Sequence, residues 1–197
     1  MIQILDYGAG NLRSVENTLA RIGAAHELAR DADALGRATK IILPGVGHFG
    51  QMMRALDSMG VREALMERIR AGVPFLGICL GLQALFEGSD EAPMERGLGL
   101  FAGRVRRFDT SARVPHMGWN ELSARPGSRL LRGLGEKPYV YFAHSYYVPE
   151  HEAAAALCNY TIPYTAALES GNVFGVQFHP EKSGPLGLDI VKNFVDA

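Results

Sequence analysis

Residues 73–87 read VPFLGICLGLQALFE, and this stretch decides the fold. The apolar run at 73–79 predicts a buried strand, and residues 80–87 predict a helix that begins directly after it. A buried strand that passes straight into a helix is typical of a parallel sheet covered by helices. We therefore expect this stretch to lie at the centre of an α/β fold.

The first half of the chain repeats this alternation of apolar runs and helical patterns. Residues 2–6 and 40–44 are predicted strands, and residues 61–71 have the pattern of an amphipathic helix that ends at Gly72. A further helix is predicted before Gly23, where apolar residues recur at helical spacing: Leu12, Val15, Leu19 and Ile22.

The second half of the chain is rich in strand-like runs and ends in a predicted helix. That helix covers residues 186–195, and a hairpin turn is predicted at 170–172. Strands are predicted at residues 99–108, 138–148, 153–160, 164–169 and 173–178. We therefore predict a single α/β domain over residues 1–197, with a mostly parallel central sheet, flanking helices and added antiparallel strands.

Composition and charge limit the class of protein. The 197 residues are 47% hydrophobic and 21% charged, which is typical of a soluble globular domain. The net charge of -1 does not favour nucleic acid or an anionic membrane as a partner. The longest apolar stretch, residues 73–86, is interrupted by Pro74 and Gln83 and is too short to span a bilayer. Because the first residues also lack a basic leader, we expect a cytoplasmic protein.

The cysteines and glycine-rich loops do not match cofactor or metal motifs. The two cysteines show no pairing pattern, which indicates a reducing compartment, and Cys158 follows an alanine run that predicts a buried core thiol. Neither Cys-x-x-Cys nor His-Glu-x-x-His is present, so no metal site is predicted. Residues 6–11 (DYGAGN) follow a strand as a dinucleotide-binding loop does, but Arg13 occupies the position of the third glycine. We therefore expect no cofactor.

Residues 77–81 (GICLG) have the form of the G-x-S-x-G nucleophile elbow, with Cys79 in place of serine. Such a turn is so tight that side chains at its two glycine positions would collide with neighbouring backbone. The helix predicted from Leu80 directs its free N–H groups and positive dipole end toward the sulfur, which favours thiolate and can hold an oxyanion. The pentapeptide alone also fits a buried cysteine at a glycine-rich strand end.

The segment His179-Pro180-Glu181 contains the two groups that a thiolate nucleophile needs: a proton acceptor and a group that orients it. Proline disfavours helix at the residue before it, so extended or turned backbone is expected. In extended backbone, residues two apart point to the same side, which would bring the Glu181 carboxylate beside the His179 imidazole. A lone histidine near a strand end is more often structural, but the elbow and the carboxylate together favour catalysis.

The loop at residues 44–47 (PGVG) follows the second predicted strand. Its glycines allow backbone N–H groups to approach a substrate closely, which makes the loop a candidate second source of oxyanion donors. By itself the loop also fits an ordinary turn.

In their order along the chain, these segments resemble the class I, triad-type glutamine amidotransferases, whose marks are a Gly-x-Cys-x-Gly elbow and a late His-Pro-Glu. The resemblance covers nearly the whole chain and implies a flavodoxin-like fold. It rests on residues 6–14 (DYGAGNLRS), 44–47 (PGVG), 77–83 (GICLGLQ), 115–120 (PHMGWN) and 179–183 (HPEKS). Val46, where other members usually carry glycine, and residues 115–120 resemble the branch formed by the glutaminase subunits of imidazole glycerol phosphate synthases.

What the resemblance implies is hydrolysis of L-glutamine to glutamate and ammonia. Cys79 would attack the carboxamide, His179 would carry the proton to the departing ammonia, and Glu181 would orient the imidazole. The implied partner is a (β/α)8-barrel cyclase subunit, with which the chain would form a heterodimer and to which it would pass ammonia for histidine biosynthesis. The resemblance further implies oxyanion donors at Leu80, Val46 and Gly47, glutamine contacts at Gln83, Glu91, Ser145 and Tyr146, and partner contacts at Asn11, Trp119, Tyr141 and Lys182.

Two other functions remain open from the residues. A different cysteine hydrolase, such as a peptidase on a related fold, would use the same nucleophile and base. A subunit without catalysis that serves only as a docking scaffold is the third hypothesis, although the intact Cys79, His179 and Glu181 argue against it.

Overall fold

A mixed eight-stranded sheet forms the centre of the molecule in the computed structural model, which describes residues 1–109, 113–135 and 137–197. Five of its strands run parallel in the order β2-β1-β3-β4-β14. They are β1 (Ile2–Leu5), β2 (His26–Ala29), β3 (Lys40–Gly45), β4 (Phe75–Cys79) and β14 (Val173–Val176). This order is the 2-1-3-4-5 arrangement of flavodoxin-like folds, in which β14 takes the fifth place. The predicted fold class is therefore confirmed.

The sheet continues past β14 with antiparallel strands, as the sequence predicts. They are β13 (Ile162–Ser170), β12 (Ala154–Tyr160) and the short β9 (Ser123–Ala124). The predicted hairpin turn joins β13 to β14, and Gly171 adopts a φ of +57° there, a conformation that favours glycine.

The remaining strands form two smaller sheets beside the main one. One sheet pairs β8 (His116–Glu121) with β10 (Tyr139–His144). The other has the order β11-β7-β5-β6 and consists of β5 (Phe86–Ser89), β6 (Ala92–Arg96), β7 (Phe101–Arg107) and β11 (Tyr146–Tyr147). The run predicted as one strand at 138–148 is thus divided at Ser145, because the chain leaves its partner β8 there and pairs with β7 instead.

Helices cover both faces of the main sheet. They are α1 (Leu12–Arg21), α2 (Ala32–Gly36), α3 (Phe49–Ser58), α4 (Arg62–Arg70), α5 (Leu80–Gln83) and α6 (Gly184–Asp196). Alternate residues of β3 face opposite ways: Leu43 joins the apolar cluster that contains residues of α2, α3 and α4, and Ile42 joins the cluster that contains residues of α1 and α6. Because both faces are covered, the central strands are apolar on both sides.

The helix predicted over residues 80–87 is too long. Helix α5 ends at Gln83, because the carbonyl groups that would continue it accept N–H groups from another segment: Leu98 donates to Ala84, and Leu100 donates to Leu85. The chain then enters β5, which pairs with β6 and β7. None of the helices in the described part of the chain is long and apolar enough to cross a membrane.

Candidate active site

Cys79 is the last residue of β4 and stands directly before α5. Its backbone has a φ of +54° and a ψ of -105°, a conformation that non-glycine residues rarely adopt and that the surrounding structure must hold in place. A Cβ atom at Gly77 would lie 2.5 Å from the Gly81 backbone, and one at Gly81 would lie 2.0 Å from the Leu43 carbonyl oxygen. Both glycines of the elbow are therefore required by the close approach of backbone segments.

His179 and Glu181 form a buried pair just beyond the end of β14. The His179 Nδ1 atom lies 2.8 Å from Glu181 Oε1, and both side chains are only 3% exposed. The backbone of His179 is held on both sides, since its N–H donates to the Tyr141 carbonyl and its own carbonyl accepts from Ser183 Oγ. The imidazole is thus fixed in position.

The local backbone differs from the expected extended segment. His179 itself is extended, but Pro180–Lys182 forms a short 3-10 turn that brings the Glu181 carboxylate back toward the imidazole. Proline stabilises the start of such a turn because its φ is already close to the helical value and its missing N–H is not needed there. The expected proximity of His179 and Glu181 is therefore reached by a turn and not by strand alternation.

The electrostatic surroundings favour a protonated imidazole at His179. Burial lowers the pKa of His179, but hydrogen bonds and charge interactions with Cys79 and Glu181 outweigh it, so the net pKa is raised. Cys79, which is 6% exposed, lines the same cavity as His179, and its interaction with the imidazole is one cause of the raised pKa. A raised imidazole pKa beside a thiol is the condition for a thiolate–imidazolium pair.

A cavity of about 200 Å³ opens above the sulfur of Cys79. Nine of the residues expected at the site line this cavity, and Glu181 lies behind His179. The residues that line the cavity are Val46, Gly47, Cys79, Leu80, Gln83, Glu91, Pro115, Met117, Ala143, His144, Ser145, Tyr146 and His179. In the described ranges, no group of three or more His, Cys, Asp or Glu side chains is placed to hold a metal ion.

Two of the polar side chains expected to contact glutamine are held by other parts of the site. The Glu91 carboxylate accepts a 2.7 Å hydrogen bond from the N–H of Phe49, the first residue of α3. The Gln83 amide nitrogen donates to the Tyr146 carbonyl at 2.9 Å and to Gln177 Oε1 at 3.0 Å. Both side chains are therefore oriented before any ligand enters.

The loop expected to supply oxyanion donors is only partly free to move. Gly45 belongs to β3, and a Cβ atom there would lie 2.6 Å from Leu80 Cβ. The next residues are less tightly packed than Gly45. Val46 is 37% exposed, and Gly47 has a φ of +95°. The Tyr7 hydroxyl donates to the Val46 carbonyl at 3.5 Å, and burial raises the pKa of Tyr7 to about 12, so the hydroxyl keeps its proton.

Sequence reasoning did not assign Pro115, Met117, Ala143 or His144 to the cavity. Met117 and Ala143 are direct partners in the antiparallel pair of β8 and β10, so the two strands contribute one wall together. Residues 115–120 belong to the family resemblance seen in the sequence. Which of them face the cavity depends on the pairing of these strands. His144 is a neutral member of the wall, because burial lowers its pKa to about 3.

Three of the four residues expected to face a partner form one surface group. The Trp119 side chain is 55% exposed and meets the Tyr141 ring edge to face at a centroid distance of 6.2 Å. The Lys182 ammonium lies 5.8 Å from the centroid of the same Tyr141 ring. Asn11 precedes α1, and its side chain accepts a hydrogen bond from Ser14.

Known proteins resemble this chain over nearly its whole length. The profile of the glutamine amidotransferase class-I family matches residues 3–197. The protein named "Imidazole glycerol phosphate synthase subunit HisH" from Deinococcus radiodurans is 48% identical, with 98% of this chain and 92% of the relative covered. The protein of the same name from Methanothermobacter thermautotrophicus is 49% identical, with 100% and 98% covered.

Solved structures share the fold at lower sequence identity. A crystal structure of a glutamine amidotransferase superposes with a TM-score of 0.79 at 20% identity, covering 99% of this chain and 97% of that one. The PurLQS structure from Thermotoga maritima gives a TM-score of 0.74 at 22% identity, covering 99% and 97%. Because the family profile spans almost the whole sequence and the relatives are nearly half identical over more than nine tenths of their length, this chain belongs to the class I glutamine amidotransferase family.

Proposed function

We propose that this chain is the glutaminase subunit of an imidazole glycerol phosphate synthase. It hydrolyses L-glutamine to glutamate and ammonia and delivers the ammonia to a cyclase subunit. The observation that carries the proposal is a buried thiol at a strained strand end that shares its cavity with a histidine, which a carboxylate orients. The relatives named as subunits of this synthase support the choice of branch.

The proposed reaction begins with attack of the Cys79 sulfur on the side-chain carboxamide of glutamine. His179 receives the thiol proton and gives it to the departing ammonia, which leaves a γ-glutamyl thioester. Water, deprotonated by the same imidazole, then cleaves the thioester and releases glutamate. Glu181 holds Nδ1 of the imidazole and stabilises its positive charge in both steps.

The oxyanion of each tetrahedral intermediate needs two N–H donors. We assign one to Leu80, the first residue of α5, because it directly follows the nucleophile and its N–H has no carbonyl within the helix to bond. The second donor comes from the peptide at Val46 or Gly47, which lines the same cavity. One such donor contributes about 2.7–4 kcal/mol to the transition state, so its orientation controls the rate.

We assign the amino-acid end of glutamine to polar groups of the cavity lining outside the triad. We assign Glu91 to the α-ammonium group, since it is the carboxylate among the residues that line the cavity. The amide of Gln83 uses its nitrogen within the protein, so its oxygen is the atom that remains for the ligand. Ser145 and Tyr146 complete the wall, where the chain passes from β10 to β11.

The partner is assigned as a (β/α)8-barrel cyclase, with which the chain forms a heterodimer in the cytoplasm. Trp119, Tyr141 and Lys182 are the proposed contact group, because they combine exposed aromatic surface with a positive charge. Asn11 precedes α1, a helix that packs against the 3-10 turn carrying Lys182, and we assign it to the same interface. Docking there would act on the Val46–Gly47 peptide and so couple ammonia release to the partner.

One experiment tests the proposal against its rivals. Ammonia release from glutamine is measured for the chain alone, with the cyclase, and with the cyclase plus its nucleotide ligand. We expect slow hydrolysis by the chain alone and strong acceleration in the liganded complex. Cleavage of peptides in place of glutamine would identify a peptidase, no hydrolysis in any condition would identify a docking subunit, and equal rates in all three conditions would reject the coupling alone.

A further inference from the structure

Gln177 is a fully buried polar residue next to the nucleophile. It follows β14 and is 0% exposed. Its backbone N–H donates to the Ala166 carbonyl, so the main chain of Gln177 is satisfied without its side chain. A buried primary amide is costly unless its donors and acceptor find partners, and the partners that Gln177 finds belong to the active site.

The orientation of the Gln177 amide follows from a chain of hydrogen bonds that starts at a fixed acceptor. The Tyr146 carbonyl can only accept, so the amide group of Gln83 must direct its nitrogen toward it, at 2.9 Å. The same nitrogen lies 3.0 Å from the Gln177 side chain, which must therefore present its oxygen to Gln83. The nitrogen of Gln177 then faces the Cys79 sulfur at 3.6 Å.

From this network we propose that Gln177 is a positioning residue, whose amide N–H holds the Cys79 sulfur in line for attack and whose oxygen locks the Gln83 amide. The inference rests on the proposed function, because it assumes that Cys79 is the nucleophile. The sulfur is then contacted by the neutral amide of Gln177, in the same cavity that the imidazole of His179 lines. A donor that approaches the sulfur stabilises thiolate more than thiol.

The test is the pH dependence of Cys79 alkylation by iodoacetamide, measured on the full chain and resolved at the Cys79 peptide by mass spectrometry. Gln177→Met has almost the same length and volume but neither donor nor acceptor. We expect the pH of half-maximal rate to rise by about one unit, with alkylation slowed about tenfold at pH values well below it, because one hydrogen bond to a charged group is removed. Glutamine turnover should fall by a similar factor.

Gln3→Met is the matched control. Gln3 is also a buried glutamine of the central sheet, 2% exposed on β1, but its amide donates to Glu27 and not to the site. Its alkylation profile should equal that of the unmodified chain. If Gln177→Met does not fold, Gln177→Asn keeps an amide that is one methylene too short to bridge both neighbours, and the same upward shift is expected from it.

The outcomes separate this inference from the proposed function. An unchanged alkylation profile in a folded Gln177 variant, with Cys79 still reactive at neutral pH, would overturn the positioning role and leave the glutaminase proposal intact. If Cys79 of the unmodified chain reacts no faster than Cys158 at neutral pH, the assignment of Cys79 as the nucleophile fails, and the proposed function fails with it. A shift in Gln177→Met that Gln3→Met shows equally would assign the effect to general loosening of the sheet and would also overturn the positioning role.

Discussion

The regions around Cys79 and Cys158 contain the same kinds of groups but differ in their electrostatics. Both cysteines are buried, and Cys79 interacts with His179 whereas Cys158 interacts with Tyr164. Beside Cys79, the pKa of His179 is raised. In the other region, the rings of His116 and His144 meet the Tyr164 hydroxyl, and burial lowers the pKa of these histidines to about 4 and about 3.

The difference shows that burial alone does not decide the protonation of a histidine. Burial is the largest single influence on His116, His144 and His179, and it lowers the pKa in each case. Of these three histidines, only His179 interacts with both a carboxylate and a thiol. Together these two groups raise its pKa above the ordinary value in spite of burial. Near Cys158 the partner is the neutral Tyr164 hydroxyl, and burial raises the pKa of Cys158 to about 11. The first region can therefore form an ion pair, and the second is an uncharged core.

The largest effect is expected from Cys79→Ala, which removes the nucleophile. Glutamine hydrolysis should fall to background, because the thioester can no longer form. In the complex with the proposed cyclase, cyclisation with externally supplied ammonia should continue, since we assign that chemistry to the partner. Hydrolysis and ammonia-dependent cyclisation are measured separately on the same purified complex. Persistent hydrolysis in the variant would place the reactive thiol elsewhere and end the distinction between the two cysteines.

Glu181→Gln tests whether the Glu181 carboxylate is needed to raise the pKa of His179 against the effect of burial. Glutamine keeps the shape and can still accept from Nδ1, but it removes the negative charge. We expect the pKa of His179 to fall and kcat to decrease by about 10²- to 10⁴-fold, with KM changed far less. The pKa is followed by NMR of the imidazole, and kcat and KM by ammonia release. An unchanged imidazole pKa would show that Cys79 alone raises it.

Because burial lowers the pKa of His116 and of His144, we expect the protein to lose stability in mild acid. The folded pKa values of His116 and His144 lie below the unfolded value near 6.5, so the unfolded chain binds protons first as the pH falls. Their contribution to stability is fully present above about pH 6.5 and is lost as the pH falls toward about 4. The loss is at most about 1.4 kcal/mol per pH unit for each histidine.

Urea unfolding at several pH values between 7.5 and 4.5 measures this slope. His144→Gln is the informative variant, because an amide can donate to the Tyr146 carbonyl and accept from Tyr164 without titrating. Its stability should depend less on pH than that of the unmodified chain. An equal slope in the two proteins would mean that His144 does not contribute to acid unfolding.

The smallest effect is expected from Cys158→Ala. Cys158 is 1% exposed on β12, so removal of its sulfur leaves a small void and should lower the free energy of unfolding by about 1–2 kcal/mol. Glutamine turnover should stay close to normal, because this thiol does not line the cavity. Thermal unfolding and ammonia release are compared in the same preparation. A folded Cys158→Ala protein without activity would contradict the assignment of this region to the core.

The parallel centre of the sheet and the elbow at Cys79 were predictable from the sequence, because local patterns specify them. Apolar runs mark β1, β3 and β4, the last two beside proline and glycine, and the two elbow glycines are needed wherever a strand turns so tightly into a helix. The proximity of His179 and Glu181 was predictable too, because only one residue separates them. Local sequence does not reveal that a 3-10 turn at Pro180–Lys182 brings the two side chains together.

Tertiary structure alone decided the parts that depend on distant pairing. The end of α5 at Gln83 depends on N–H groups that come from residues 98–100, and the division of the run at 138–148 depends on two different partner strands. The contact between Gln177 and Cys79 joins residues 98 positions apart in the sequence. No pattern within a short window contains that information, because a buried polar group acquires its role from the groups that the fold places around it.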